Sequence, residues 1–116
     1  MSVPFLFLLS ISCIYNHTAT TENLGSGYFY IGDGQESQIL SGDEKKNSGI
    51  TIIPQEVIEY NFDNRYIIAK SIENRNLQQY WIVDKQSHES VSPLDSLSFA
   101  KEIKRLKIDL KLKSRK

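Results

Sequence analysis

The sequence predicts an α+β domain: an antiparallel β-meander of about five or six strands with one C-terminal α-helix packed on a face. Three observations predict it. Short runs rich in Val, Ile, Tyr and Phe follow one another from residue 27 to residue 84, broken by Gly, Asn, Asp and Pro. Apolar residues then recur at helical spacing in one place only, beginning near residue 93. The chain has 116 residues, which leaves room for one domain.

Gly27-Tyr28-Phe29-Tyr30-Ile31 is the first expected strand, aromatic and bounded by glycines, with Gly32-Asp33-Gly34 as its turn. Ser37 to Leu40 is a short second strand, and Ser41 to Gly49 a polar loop with turn signals at Gly42-Asp43 and Asn47-Ser48-Gly49. Ile50 to Ile53 is β-branched and stops at Pro54, which cannot donate to a ladder. Val57 to Phe62, Arg65 to Ile72 and Leu77 to Asp84 are three further strands.

Side-chain parity carries the reading further. Pairing Tyr60 near Arg65 or Ile67 puts Ile58, Tyr60, Phe62, Ile67 and Ala69 on one face, with Val57, Glu59, Asn61, Tyr66 and Ile68 on the other. Closing the next turn at Ile72 and Leu77 sets Arg65 opposite Asp84, adding Tyr80 and Ile82 to the first face and Trp81 and Val83 to the second. The strands at 65–72 and 77–84 are then apolar on both sides, so each face needs a cover. Ile67 is expected in the core, and Trp81 is expected there rather than as a stacking platform for a ligand.

Ser92-Pro93-Leu94-Asp95 is a helix start, with Ser92 as N-cap. Phe99, Ile103, Leu106 and Leu110 supply an apolar stripe. After Leu106 the pattern alternates, so the expectation is a helix over 93–106 and an extended or edge-strand tail over 108–113.

Residues 1–13 form an uncharged apolar segment of signal or lipoprotein type, too short for the roughly 20 residues that span a bilayer. Its lone Cys13 follows Leu9-Ser10-Ile11-Ser12, which resembles a lipobox, although Leu9 stands one place further from the cysteine than usual and no Lys or Arg precedes the run. Cys13 is the expected lipidation site; the rival is a buried strand with an inert thiol. Residues 14–24 are a polar tether and 25–116 the globular domain.

The formal charge is zero but unevenly placed: residues 101–116 carry eight Lys/Arg against Glu102 and Asp109. A basic helix and tail beside an acidic body is the plain reading, and a tail for anionic lipid or nucleic acid the sharper one. No aromatic residues interleave the basic ones, so no nucleic-acid partner is expected. The glycines at 25, 27, 32 and 34 lack the spacing and Lys-Ser/Thr of a phosphate loop and read as turns. The two histidines, His17 and His88, and the one cysteine match no metal-site pattern, so no cofactor or metal is expected. No catalytic residue is identified; Asp33, Asp63 and Asp84 read as turn formers, with Asp84 as the partner of Arg65.

Four stretches, GSGYFYIGDG, ITIIPQEVIEYNFDNRYIIAKS, QQYWIVDK and SPLDSLSFAKEIKRLKIDLKLK, together resemble a family of small exported bacterial proteins, often lipoproteins, with a single domain of unknown function. The resemblance spans about residues 24 to 113. It implies a compact β-meander with one helix and an exported chain, and it transfers no catalytic residue. Such families often place Leu-Gly or Leu-Asn after the helix, where this chain has Leu106-Lys107-Ile108. The expectation for function is an exported, membrane-anchored, non-enzymatic domain held in the cell envelope through Cys13, with a binding or structural role and a possible protein partner. The alternatives are an immunity or inhibitor protein against a secreted toxin and, further off, a small hydrolase.

Overall fold

The computed structural model describes residues 20–32, 36–43, 48–74, 77–89 and 91–114. Cys13, His17 and Asp33 lie outside them. The elements are β1 (Thr20–Gly25), β2 (Tyr28–Gly32), β3 (Gln38–Asp43), β4 (Ser48–Ile53), β5 (Val57–Phe62), β6 (Tyr66–Glu73), β7 (Leu77–Asp84), α1 (Ser96–Arg105) and β8 (Lys113–Ser114). The α+β class and the antiparallel meander with one C-terminal helix agree with expectation. The strand count and layering do not: among the described residues there are eight strands in two sheets, ordered β1-β2-β3-β4 and β7-β6-β5-β8.

Two strands lie beyond the six expected runs: β1, and β8 at the end of the tail expected to be extended or an edge strand. β1 begins at Thr20, inside the stretch assigned to the tether, and pairs antiparallel with β2. Over residues 21–25 only Leu24 is buried, so the strand carries no alternating apolar signal. β8 closes the other sheet by pairing with Glu59 and Tyr60 of β5.

The two sheets enclose the main core. Leu24, Tyr28, Tyr30, Ile39 and Ile53 from the first meet Val57, Ile67, Ala69, Trp81 and Val83 from the second. A second core lies on the far side of β6, where Tyr66, Ile68 and Ile82 are covered by Phe99 and Ile103 of α1 and, beyond it, by Leu106, Ile108, Leu110 and Leu112. β6 is therefore buried on both faces, as its composition requires, by a sheet on one side and the helix and tail on the other.

The β6–β7 register corrects the expected one by a residue. Tyr66, not Arg65, stands opposite Asp84, and the ladder closes at Glu73 and Leu77. A one-residue slip exchanges the faces of a strand. Trp81 and Val83 accordingly join Ile67 and Ala69 between the sheets, while Tyr80 and Ile82 turn to the helix. A bulge between Val57 and Glu59 likewise brings Val57, not Ile58, to the inter-sheet face.

α1 is shorter than expected. Leu94 exchanges two backbone hydrogen bonds with Tyr80, at 2.8 and 3.0 Å, which keeps residues before Asp95 out of the helix. The cap is Asp95 rather than Ser92: its Oδ1 accepts from the Ser98 N–H at 2.7 Å. The C-terminal end is a Schellman turn. The Lys107 N–H donates to Lys104 O at 3.2 Å and the Ile108 N–H to Ile103 O at 3.0 Å. Lys107 takes the left-handed conformation usually given to Gly or Asn there, with φ of 58°. The chain thus breaks after the helix with Lys107 in the position where glycine is the usual residue.

Candidate binding groove

At the start of β6 the Asp63 carboxylate folds the preceding turn, its Oδ1 accepting from the Arg65 and Tyr66 N–H groups at 2.9 and 2.7 Å. The turn sends the Arg65 side chain across to Asp84 at the end of β7. Arg65 Nε and Nη2 donate to the two carboxylate oxygens at 3.4 and 3.1 Å. The guanidinium also lies 5.1 Å from the centroid of the Tyr66 ring. On the facing helix, Arg105 grips Glu102 in the same bidentate way, at 2.7 and 2.9 Å. These hydrogen bonds hold the Asp84 and Glu102 carboxyls below the usual carboxylate range and raise both arginines further.

Between the two ion pairs runs a groove of about 480 Å³. Tyr66, Ile82, Val91, Leu94 and Leu106 supply its apolar surface, and the two pairs with Glu89 supply charged positions. The loop after β7 forms one wall. Its path is fixed at His88, whose Nδ1 lies 3.1 Å from the Tyr28 hydroxyl and whose ring stacks on that of Tyr28, and at Leu94 by the bridge to Tyr80. Both guanidinium groups are held through Nε and Nη2, so each keeps its Nη1 edge for other acceptors.

A smaller concavity of about 420 Å³ lies where β1, β5 and β8 meet. The Tyr60 hydroxyl donates to Glu22 Oε1 there, and its ring stacks on Tyr30 with centroids 4.4 Å apart. Burial, and then the hydrogen bond to Glu22, push the Tyr60 phenol well above its ordinary range. Asn61 Nδ2 donates to Lys111 O at 2.9 Å and helps lay the tail along β5.

Of the residues singled out from the sequence, the structure brings Arg65 and Asp84 together as an ion pair at the groove. Ile67 is fully buried between the sheets, and Trp81 joins it there with its indole N–H donating to Ser71 Oγ at 2.8 Å. Sequence reasoning missed Tyr66, Glu102 and Arg105 at the groove. It also missed Lys85, which is 2 % exposed and donates to the carbonyls of Leu24 and Asp63. The signal for Lys85 was parity: after Trp81 and Val83, the next inward position of the chain is 85.

Among the described residues no group of three or more His, Cys, Asp or Glu could hold a metal ion, and no helix is long and apolar enough to cross a membrane. No curated protein and no solved structure gives a match to the chain. A family model does, over residues 25–116, and by that match the chain belongs to the family described as protein of unknown function DUF3997.

Proposed function

We propose that this protein is an exported, membrane-tethered binding domain without catalytic activity, and that the groove between α1 and the second sheet receives a segment of a partner protein. One observation carries the reading. The groove joins an apolar surface to two arginines whose orientation is already fixed by bidentate carboxylates. Such a surface recognises rather than reacts: both its arginines are committed to carboxylates, and their free donors are preorganised for the backbone carbonyls or acidic side chains of an extended segment. The apolar segment ending at Cys13 supports the tether, with acyl chains on that cysteine as the anchor.

Two experiments test it. Fatty-acid labelling of wild type and Cys13→Ala should label only the wild type; equal labelling ends the lipid-anchor reading. Cross-linking in cells followed by pull-down should recover a partner with wild type and lose it with Leu106→Asp or Arg105→Ala. Capture that ignores both substitutions removes the groove from the proposal, and a captured toxin would redirect it toward an immunity role.

A further inference from the structure

We infer that the outer face of α1 and the tail that follows it rest on an anionic lipid surface. The inward face of the helix, Phe99 and Ile103, is spent on the second core with Leu106 at its C-cap. The outward face carries Leu97, Ala100, Lys101, Lys104 and Arg105, all exposed, and the turn and tail beyond it add exposed Lys107, Lys111 and Lys113 beside exposed Asp109. Leu97, Lys101 and Lys104 stand at i, i+4 and i+7, one line along the helix. Leu97 is 65 % exposed, an apolar side chain set among cations. Arg105 takes its carboxylate partner from its own helix, and among the described residues Lys101, Lys104 and Lys107 form no salt bridge with the acidic body.

Charge and shape select the partner. A convex face with several lysines and an exposed leucine matches a headgroup layer, which accepts cations at the phosphates and apolar side chains just beneath. The aromatic residue of this helix, Phe99, packs inward against Tyr80, so it offers no stacking platform to bases. Placement agrees. Lys113 lines the same concavity as Glu22, two residues after the start of β1, so the basic tail and the point where the chain enters the domain share one edge. From Cys13 to Thr20 the chain reaches at most about 25 Å. A domain tethered through Cys13 is therefore kept close to the bilayer with this edge toward it. The tether reading supplies only that orientation; the lipid contact is tested without it.

The test is flotation of the full chain with phosphatidylcholine vesicles, with and without phosphatidylglycerol. The apolar N-terminal segment contributes equally to both, so the increment due to phosphatidylglycerol is the readout. Replacing Lys101, Lys104 and Lys107 together by Gln should cut that increment on the order of 100-fold, and Lys104→Gln alone roughly fivefold. Salt near 1 M should abolish it, since screening then acts within about 3 Å. A control with the same change in net charge, Ile50→Glu, Thr51→Glu and Gln55→Glu on β4 and the turn after it, should keep the increment. Emission of the single Trp81 checks that each variant is folded. An equal loss in both triple variants, no increment for wild type, or displacement from the vesicles by duplex DNA at matched charge would each overturn the inference.

Discussion

Replacing Lys85 with methionine asks whether a buried cation ties the two sheets together. The Lys85 ammonium donates to Leu24 O, at the end of β1, and to Asp63 O, in the turn between β5 and β6, and it lies 5.4 Å from the Phe62 ring centroid. Methionine keeps the length and removes the donors. Each hydrogen bond from a charged donor is worth about 1.5–3 kcal/mol, and a carbonyl left buried without a partner costs about 1–3 kcal/mol. Against this, the variant no longer desolvates an ammonium, which recovers part of the loss. The net expectation is a destabilisation of about 2–4 kcal/mol. Urea denaturation followed by Trp81 emission measures it. The pH dependence supplies a second reading. Burial pushes the Lys85 ammonium below its ordinary value of 10.5. The folded chain thus releases this proton before the unfolded chain does, and just below pH 10.5 wild-type stability gains with rising pH relative to the variant. A destabilisation under about 0.5 kcal/mol, with parallel pH curves for the two proteins, would refute the argument.

Three other outcomes are expected. Ile67→Ala, at a fully buried position between the sheets, should cost about 2–5 kcal/mol in the same denaturation assay; a neutral result would contradict the central place of β6. The phenols of Tyr28 and Tyr60 are both raised, chiefly by burial, so the stability they provide is intact below the unfolded value near 10 and is lost as pH climbs above it. Tyr60→Phe should flatten that alkaline decline, as thermal melts across pH 9 to about 11 would show. Lys107→Gly should stabilise the fold by about 1 kcal/mol, read in high salt to screen the lost charge, because glycine relieves the left-handed backbone at φ 58°.

Much of the fold was legible because local chemistry decides it. β5 and β7 keep the bounds that their apolar runs set, and the Asp63 turn and the Arg65–Asp84 pair follow from residues close to the hairpin. The β6–β7 register was illegible for a specific reason. Alternation fixes register when one face is polar, but here Ile67, Ile68 and Ala69 face Val83, Ile82 and Trp81, and sliding by one residue exchanges apolar for apolar. β1 was hidden because Thr21, Glu22 and Asn23 are exposed on an edge strand and only Leu24 reports a core. The groove was hidden because its walls come from β6, β7, the loop after it and α1, and their meeting depends on where the helix docks. The Glu102–Arg105 pair was available at i, i+3 spacing, yet nothing local shows that it faces Tyr66 and Ile82.

The motif Gln78-Gln79-Tyr80-Trp81-Ile82-Val83-Asp84-Lys85 shows where function should be sought in this fold. Nearly every side chain in it has a structural task. Trp81 donates to Ser71 Oγ, Val83 fills the inter-sheet core, Lys85 bridges two carbonyls, Tyr80 packs on Phe99, and Asp84 holds Arg65. A fingerprint made of such residues identifies a fold and places few constraints on a ligand. The surface that remains uncommitted lies elsewhere, on the outer face of α1, along the tail and at the groove they border. These parts form the third layer of the domain, and they cover the face of β6 that the first sheet cannot reach. The layer therefore meets two demands with opposite faces of one helix: its inner stripe completes the core, and its outer stripe is free to vary in charge without cost to packing. Recognition in this domain is accordingly expected to change with substitutions at Leu97, Lys101, Lys104 and Arg105, while those at Trp81 and Lys85 change stability.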